Sequence, residues 1–352
     1  MFSKGGGGSN GARHFGGTVV GDGTVERDKK MKPRVVVTLP LPGAVLDSLG
    51  ASFDLQAWSE PESITDAVLS EWTGEADAIL CSLGTAITAE LLASSPKLRV
   101  ISSISVGVDH IDLAAADEVG LPVGHTPEVL VDSTADMAVA LMLAVMRRIV
   151  EADRFVREGR WGTGWSTDFF LGSDLSRATV GIVGLGPIGR AVATRVQSFG
   201  AKVIGWNRSE RNVSGVQQVE LDALFEEADV VSIHTAATPD TRHLVSASRI
   251  DRMKQGAVLI NTARGAIVDE VALVAALTAG RIRAGLDVYA REPLPHDHPL
   301  LRLDNVVLVP HLGSATAATR EAMLERALIN LTAGLRGDRL PWCANPEVYP
   351  DS

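Results

Sequence analysis

The segment Val180-Gly-Ile-Val-Gly-Leu-Gly-Pro-Ile-Gly189 decides the fold. Its first four residues form an apolar run that is typical of a buried parallel strand. Gly184, Gly186 and Gly189 then follow at G-x-G-x-x-G spacing. In this pattern the first glycine permits a tight turn, the second lets the backbone approach a pyrophosphate, and the third lets helix and strand pack closely. The segment therefore predicts a dinucleotide-binding turn.

The residues after the turn support this interpretation. Arg190 to Phe199 is predicted to form a helix, and Lys202 to Trp206 is predicted to form the next strand. The N-terminus of such a helix offers free N–H groups to an anion. An isolated glycine pattern is weak evidence, but the dinucleotide fingerprint requires a strand before it and a helix after it. We therefore favour dinucleotide binding over an ordinary strand-to-helix turn.

The end of the second strand bears on which dinucleotide binds. NAD sites usually carry Asp or Glu there, which binds the ribose 2′-hydroxyl. This chain has Asn207, Arg208 and Ser209 instead. This strand end has no acidic residue that would repel a 2′-phosphate. Arg208 could form an ion pair with the phosphate, and Asn207 and Ser209 could donate hydrogen bonds to it. We predict a preference for NADPH, with NADH still possible. The alternative is that Arg208 is a solvated loop residue.

Composition limits the classes of protein to consider. The 352 residues are enough for two domains, and the net charge of −10 argues against a nucleic-acid-binding surface. No apolar run is long enough to span a membrane. Cys81 and Cys343 suggest no disulfide framework, which fits a reducing cytoplasm. Residues 1–30 are rich in glycine and lack an apolar signal core, so we predict a disordered extension there.

Strands and helices alternate from Met31 onwards. Besides those named above, the predicted strands are Arg34–Leu39, Ala78–Ser82, Val100–Ser103, a short one from Val123, Val230–His234, Ala257–Asn261, Ala284–Asp287 and Asn305–Leu308. Ser133–Ile149 is predicted to be a long apolar helix, and a last helix at Ala315–Gly334 could return to the first block. The pattern predicts an α/β fold with two doubly wound, Rossmann-like domains and an active-site cleft between them.

Three polar side chains follow successive strands of the second block. Arg264, Glu292 and His311 each lie just beyond the carboxyl end of a predicted strand, where doubly wound sheets bind ligands. Each residue alone is more simply interpreted as a solvated loop residue. Together, Arg, Glu and His beside a nicotinamide site form a coherent catalytic set.

Several segments form a recognisable set: Ser105–His110, the Gly184 turn, Asn261–Gly265, Gly285–Pro293 and Pro310–Thr316, together with Trp161, Trp165, Leu171-Gly172 and Asn207–Ser209. On these segments, the chain from Met31 to about Tyr349 resembles the D-isomer-specific 2-hydroxyacid dehydrogenases, and most of all the glyoxylate/hydroxypyruvate reductases. Two positions depart from the family pattern. Ala236 stands where relatives usually have proline, and Pro187 occupies a position where arginine is common.

The resemblance implies a role for each candidate residue. The N–H groups of Val106 and Gly107 would hold the substrate carboxylate, and Arg264 would bind carboxylate and carbonyl oxygens. His311 would protonate the carbonyl oxygen as hydride arrives, and Glu292 would keep His311 protonated near neutral pH. The other implied contacts are Ser314 and the partner's Trp165 at the substrate, and Thr134, Gly184, Gly186, Pro187, Ile188, Gly189, Asn207, Arg208, Ser209, Thr235, Thr262, Ala263, Asp287, His311 and Gly313 at the cofactor.

The resemblance also implies the domain limits and the assembly. The expected substrate-binding domain is 31–126 plus 315–352, and the expected dinucleotide-binding domain is 127–314. Relatives form dimers through an exchanged helical arm, so we expect a homodimer. Ala135–Val145 is apolar enough to be that interface or a buried helix of its own domain, and Trp165 could limit substrate size or only pack at the interface. Asp287 could contact the nicotinamide amide or only cap a loop.

The expected reaction is NADPH-dependent reduction of glyoxylate or hydroxypyruvate to glycolate or D-glycerate, with no metal ion. Three alternatives remain open. An NAD-linked phosphoglycerate or D-lactate dehydrogenase is disfavoured by Asn207 and Arg208. The formate dehydrogenase branch pairs its histidine with glutamine, so Glu292 disfavours it. A cofactor-sensing transcriptional co-repressor would keep the Arg-Glu-His set, but this chain has no long interaction tail or basic patch.

Overall fold

A computed structural model describes residues 32–162 and 164–350, and the extension predicted at 1–30 lies outside them. Short aliphatic runs near residue 34 start a five-stranded parallel sheet. Its strands are Arg34–Val37 (β1), Asp54–Ala57 (β2), Ala78–Cys81 (β3), Val100–Ser103 (β4) and Val123–Gly124 (β5), and its helices are Gly43–Ser52 (α1), Asp66–Thr73 (α2), Ala89–Ala93 (α3) and Leu113–Glu118 (α4). The strand order β2-β1-β3-β4-β5 is that of a flavodoxin-like, doubly wound sheet.

The first strand shows why this sheet is buried on both faces. Val35, Val36 and Val37 are all fully buried. Successive side chains of a strand point to opposite faces, so Val36 packs into one apolar cluster while Val35 and Val37 pack into another. Continuous apolar runs of this kind are typical of parallel strands that are covered by helices on both sides.

Two helices follow this sheet in the chain, at Val131–Met146 (α5) and Ile149–Arg157 (α6). The sequence predicted one helix over Ser133–Ile149, which was wrong at its end. Arg148 has a left-handed backbone conformation, with φ of 54°, and the chain changes direction there because an L-residue in that conformation cannot continue a right-handed helix. α5 is largely buried in the core of the following sheet, which matches the second interpretation of Ala135–Val145, whereas α6 has no buried residue.

A seven-stranded parallel sheet comes next. Its strands are Thr179–Val183 (β6), Lys202–Trp206 (β7), Val216–Gln218 (β8), Val230–Ile233 (β9), Val258–Asn261 (β10), Arg283–Leu286 (β11) and Val306–Leu308 (β12), with helices Pro187–Ser198 (α7), Leu221–Glu227 (α8), Ala247–Arg252 (α9) and Glu270–Thr278 (α10). The order β12-β11-β10-β9-β6-β7-β8 reverses between β6 and β9. Doubly wound sheets bind ligands at this switch point, beyond the carboxyl ends of the strands. The two sheets confirm the predicted fold class.

The last helix, Ala317–Arg336 (α11), packs on the five-stranded sheet. The Thr316 hydroxyl caps its first turn by accepting from Thr319 N–H, and Gly337, at φ 81°, ends it. Its apolar side chains share a cluster with β1, β3 and β4, and the Ser102 hydroxyl donates to Ala327 O at 2.7 Å. The helix therefore returns to the first sheet. Short 3₁₀ turns lie at Leu175–Arg177, Pro239–Thr241, Gly265–Ile267, Pro299–Arg302 and Pro346–Val348.

Within residues 32–162 and 164–350, no helix combines the length and the apolar character needed to cross a bilayer.

Candidate active site

The glycine turn between β6 and α7 has the geometry of a phosphate-binding loop. Gly184 has φ of 100°, and a methyl group on it would lie 2.8 Å from the backbone of His234. A methyl group on Gly189 would collide with the carbonyl oxygen of Gly184, so helix and strand can pack this closely only without a side chain. At Gly186, by contrast, a methyl group would meet no atom within 4 Å. Packing within the chain therefore explains Gly184 and Gly189, whereas the space beside Gly186 is open to a ligand.

The first turn of α7 presents donors to that open space. Pro187 is the first residue of the helix, where its missing N–H has no acceptor to lose. The N–H groups of Ile188 and Gly189 donate no hydrogen bond within the described residues. Unpaired N–H groups and the helix dipole together favour an anion at this position. Pro187 and Ile188 thus lie in the first turn of α7, and their contact with a pyrophosphate stays a prediction.

The loop after β7 differs in detail from the sequence-based expectation. Asn207 accepts from Leu185 N–H at 3.1 Å, and its amide nitrogen lies 2.9 Å from Ser209 O and 3.2 Å from Ser209 Oγ. Asn207 therefore braces the glycine turn and its own loop rather than extending toward a ligand. Arg208 is largely solvated, and its Nη1 lies 3.8 Å from Asp240 Oδ2, which the sequence had not placed near it.

Two buried hydroxyl groups provide an independent test of whether this cleft fits a nicotinamide dinucleotide. Thr235 follows β9, Thr262 follows β10, and the side-chain oxygen of each is buried without a hydrogen-bond partner in the described residues. Most buried polar atoms in proteins are paired, so orphaned hydroxyls at neighbouring strand ends indicate a polar ligand. The open space at Gly186 and these two hydroxyls fit the cofactor that the glycine turn predicts. Ala263 lies next to Thr262, and its N–H is bound to Asn261 Oδ1 at 3.0 Å.

Arg264 reaches across to the loop that follows β4. Its Nε donates to both carboxylate oxygens of Asp109, at 3.0 and 3.2 Å, and its Nη1 donates to Ala263 O at 2.8 Å. A methyl group on Gly107 would collide with its Nη2, so the guanidinium lies directly against this glycine. Asp109 fixes one edge of the guanidinium, and the described residues give Nη2 no hydrogen-bond acceptor.

The backbone beside Arg264 has unpaired donors. The N–H groups of Val106, Gly107 and Val108 form no hydrogen bond within the described residues, although all three residues are half-buried. Half-buried N–H groups that lack an acceptor in the protein can bind a ligand oxygen, and a guanidinium beside them favours an anion. The structure brings Val106, Gly107 and Arg264 together, as the substrate-carboxylate prediction requires.

His311 and Glu292 form a close side-chain pair in the second sheet's strand-end loops. His311 Nδ1 lies 2.7 Å from Glu292 Oε2, and the other oxygen of Glu292 accepts from Tyr289 N–H at 3.0 Å. Burial alone would raise the pKa of the Glu292 carboxyl, but these hydrogen bonds and the charges of His311 and Arg264 hold it below its usual value. Because Glu292 is then an anion at neutral pH, Nδ1 donates to it and Nε2 is the ring nitrogen left for chemistry.

The backbone of His311 is held in an unusual conformation. Its φ is 55°, in the left-handed region, and its N–H donates to Asp287 O at 2.9 Å. Asp287 also accepts from Leu312 N–H and, at 2.8 Å, from Gly313 N–H, and burial raises the pKa of its carboxyl. Thr134 donates to Gly313 O at 3.2 Å from α5. Asp287 therefore caps the loop that carries His311, which is the second role that the sequence left open for it.

A family model for the "D-isomer specific 2-hydroxyacid dehydrogenase, NAD binding domain" matches residues 139–313, which contain the glycine turn, Arg264, Glu292 and His311. A glyoxylate reductase from Korarchaeum cryptofilum is 43% identical over 323 residues, which are 90% of this chain and 97% of the relative. The chain belongs to the D-isomer-specific 2-hydroxyacid dehydrogenases. The family resemblance inferred from the sequence is confirmed.

Solved structures of similar chains support this family assignment. The TT0316 protein from Thermus thermophilus is 44% identical, with a TM-score of 0.82 over 88% of this chain and 99% of that one. An NADPH-dependent glyoxylate/hydroxypyruvate reductase from Sinorhizobium meliloti, solved with NADP and malonate, is 31% identical, with a TM-score of 0.79 over 90% and 98% of the two chains.

Two predicted substrate contacts of this dehydrogenase differ in their placement. Ser314 directly follows Gly313 and is half-buried, and its hydroxyl forms no hydrogen bond within the described residues. Trp165 is 88% exposed and is not brought into the cleft of its own chain. In the part of the chain that the structure describes, no group of three or more His, Cys, Asp or Glu side chains could hold a metal ion.

Sequence reasoning gave no role to Asp109 or Asn261, although both lie in motifs that it singled out. Asp109 anchors Arg264 across the cleft. Asn261 is buried at the end of β10, and its amide donates to Arg264 O at 2.9 Å, which shapes the turn that carries the arginine. The only sequence signal for these two residues was their position, since each lies within four residues of a predicted site residue. Position alone does not predict the contact of either residue with Arg264.

Proposed function

We propose that this dehydrogenase reduces glyoxylate and hydroxypyruvate to glycolate and D-glycerate with NADPH, with His311 as proton donor. The observation that carries the proposal is that the Arg264 guanidinium lies against Gly107 and is close enough to Glu292, the partner of His311, for its charge to lower the pKa of that carboxyl. Within the described residues, the N–H groups of Val106 and Gly107 beside it are unpaired. The glyoxylate reductases among its relatives support the substrate class.

The residues would act in a defined order. The N–H groups of Val106 and Gly107 and the Nη2 of Arg264 would bind the substrate carboxylate, which directs the 2-oxo group toward His311. NADPH, when bound, would be the source of the hydride for the carbonyl carbon. His311 Nε2 would give its proton to the carbonyl oxygen, while Glu292 at Nδ1 stabilises the charged imidazole before transfer. The reverse reaction would return the proton to Nε2.

The cofactor contacts would come from the switch point between β6 and β9. Gly186, Ile188 and Gly189 would bind the pyrophosphate, and the hydroxyls of Thr235 and Thr262 would bind the remaining polar groups of the cofactor. The other residues that we propose to form the cofactor site are Thr134, Gly184, Pro187, Asn207, Arg208, Ser209, Ala263, Asp287, His311 and Gly313. Of these, Asn207, Asp287 and Thr134 would act through the loops that they hold.

Cofactor preference should depend on Arg208. A charge-assisted hydrogen bond is worth about 1.5–3 kcal/mol, so Arg208→Ala should raise the KM for NADPH about ten- to a hundredfold and leave the KM for NADH nearly unchanged. Asp240→Asn is the matched variant, because Asp240 lies 3.8 Å from Arg208 and would compete with a 2′-phosphate. It should lower the KM for NADPH. Equal effects of Arg208→Ala on both cofactors would contradict the assignment.

The assembly and the domain limits are also proposals. Exposed apolar side chains are concentrated between residues 149 and 171, including Val156, Trp161, Trp165 and Leu171. Large exposed apolar patches commonly mark interfaces, so we propose a homodimer in which Trp165 contacts the partner's substrate pocket. We further propose a cytoplasmic location. The return of α11 to the five-stranded sheet supports a substrate-binding domain of 31–126 plus 315–352 and a dinucleotide-binding domain of 127–314.

A panel of 2-oxo acids tests the function. NADPH and NADH oxidation should be measured with glyoxylate, hydroxypyruvate, pyruvate and 3-phosphohydroxypyruvate. We expect the highest kcat/KM with NADPH and glyoxylate or hydroxypyruvate. Higher values with NADH and either of the other acids would favour an NAD-linked lactate or phosphoglycerate enzyme. Cofactor binding without oxidation by any acid would favour a cofactor-sensing binding protein.

A further inference from the structure

The loop Ser105–Val108, here called the carboxylate loop, has all its carbonyl groups paired with the protein. Ser105 O accepts from Thr126 N–H at 2.7 Å, and Val108 O accepts from Ile111 N–H at 2.9 Å. Val106 O lies 3.0 Å from His125 Nδ1, and Gly107 O accepts from the Ser105 hydroxyl at 2.7 Å. Among the residues that the structure describes, the N–H groups of Val106, Gly107 and Val108 have no such partners. The loop is therefore held from its carbonyl side, and its donors are left for a ligand.

Two histidines, His125 and His110, take part in the side-chain hydrogen bonds to the carbonyl groups of the carboxylate loop. A carbonyl oxygen can only accept, so His125 Nδ1 carries a hydrogen and donates to Val106 O. His110 acts through a chain: its Nε2 lies 3.0 Å from Ser103 Oγ, which lies 2.6 Å from Ser105 Oγ. The peptide group is planar, so a fixed Val106 carbonyl also fixes the N–H of Gly107, and a fixed Gly107 carbonyl fixes that of Val108.

The direction of the hydrogen-bond chain follows from its last bond. Ser105 gives its only hydroxyl hydrogen to Gly107 O, so Ser103 must donate to Ser105, and His110 Nε2 must donate to Ser103. His110 Nδ1 is then a bare acceptor, buried without a partner in the described residues. A second proton there would have no acceptor. Burial lowers the pKa of His110 to about 4; the charge of Asp109 opposes this and that of Arg264 adds to it.

His125 is itself fixed by the C-terminal part of the chain. Its N–H donates to Trp342 O at 3.1 Å, and its carbonyl accepts from the Asn330 amide at 3.0 Å, on α11. One donor from the segment after β5, His125, and one from the loop itself, Ser105, therefore bind two adjacent carbonyl groups. Such an arrangement preorganises the loop, and donors polarise the peptide groups that they bind.

We propose that His110 and His125 are positioning residues that hold the carboxylate loop in its binding conformation and thereby set the affinity for the substrate carboxylate. The inference rests on the proposed function. Neither histidine contacts the reacting atoms, so both should affect the KM for the 2-oxo acid far more than kcat.

Matched variants test the two histidines. His125→Leu removes the donor at constant size, while His125→Asn keeps a donor at the position of Nδ1. His110→Met and His110→Gln are the equivalent pair for a donor at the position of Nε2. Loss of one neutral hydrogen bond should raise the glyoxylate KM about three- to tenfold in the Leu and Met variants. The Asn and Gln variants should recover most of the change, and kcat and the NADPH KM should stay within about twofold.

A binding measurement separates this inference from the proposed function. Oxamate carries an amide in place of the aldehyde of glyoxylate and does not accept hydride. Its Kd for the protein with NADPH, measured by calorimetry, should rise about three- to tenfold in the Leu and Met variants. A wild type that binds oxamate but reduces no 2-oxo acid would overturn the proposed function, and the Kd values would still test the histidines. Absence of oxamate binding in the wild type would overturn the carboxylate loop itself.

Unchanged KM and Kd in folded His125→Leu and His110→Met would overturn the proposal. Equal loss in the Asn and Gln variants would also overturn it, because the donor would then not be the cause. Should His110→Met fail to fold, Ser105→Ala breaks the same chain at Gly107 O with loss of a single hydroxyl. It should raise the glyoxylate KM to the same extent, and an unchanged KM would overturn the role of His110.

Discussion

Replacement of His311 by alanine is expected to lower kcat for glyoxylate reduction by about 10²–10⁴, the usual contribution of a general acid, with little change in the KM for NADPH. The expectation rests on the 2.7 Å contact between Nδ1 and Glu292, which leaves Nε2 to give the proton. Steady-state rates at saturating glyoxylate and NADPH measure the effect.

A second histidine–glutamate pair provides the control. His298 Nε2 lies 3.2 Å from Glu270 Oε1, and this histidine has no role in the proposed reaction. His298→Ala should leave kcat within about twofold of wild type. A similar loss of kcat in both variants would mean that His311→Ala acts by breaking a structural pair. A His311→Ala enzyme with a kcat close to that of wild type would exclude His311 as the acid.

Replacement of Arg264 should have the second-largest effect. Arg264→Ala is expected to lower kcat/KM for glyoxylate about 10²–10³-fold, because more than one charge-assisted hydrogen bond would be lost. Arg264→Lys should recover little of this. The planar guanidinium holds Asp109 at Nε and presents Nη2 at Gly107, and a single ammonium group cannot do both in that geometry.

The anchor of Arg264 gives a graded comparison. Asp109→Asn keeps the size of the side chain but weakens its contact with Nε, so it should raise the glyoxylate KM less than Arg264→Ala does, with an unchanged KM for NADPH. Glyoxylate and NADPH should be varied separately for each variant. An Arg264→Ala enzyme with a normal glyoxylate KM and kcat would contradict the carboxylate-binding role.

Local signals were enough to predict the elements that build the cofactor site. The β6 strand, the glycine turn and α7 follow from the twenty consecutive residues Val180–Phe199, because apolar strand, tight turn and helix start are all encoded locally. The strands Asp54–Ala57 and Val216–Gln218 gave no such signal, since edge strands are only partly buried and carry mixed residues. The end of α5 was missed because Arg148, rather than glycine or proline, adopts the left-handed conformation, and its guanidinium binds Glu151 at 2.6 Å.

The candidate site likewise contains residues that the sequence predicts and contacts that it does not. Arg264, Glu292 and His311 could be placed at strand ends from the order of the strands alone. The resemblance also implied the pairing of Glu292 with His311. The partners of Arg264 and Arg208 could not be predicted, because they come from distant segments: Asp109 is 155 positions from Arg264, and Asp240 approaches Arg208 from the loop after another strand. Hydrogen bonds that join such segments depend on tertiary packing, which no single stretch of sequence encodes.

The central claim is that the Glu292–His311 pair is the acid for carbonyl reduction, and the pH dependence of kcat/KM for glyoxylate in wild type and Glu292→Gln tests it most directly. Glu292 is held in its anionic form, which favours the protonated imidazole, so wild type should keep its reductase activity to a higher pH. Glu292→Gln removes that charge at constant size, so the alkaline limit of its kcat/KM should lie at lower pH than in wild type. An unshifted limit in Glu292→Gln, with His311→Ala inactive, would contradict the pairing and leave Arg264 and His311 as the catalytic residues.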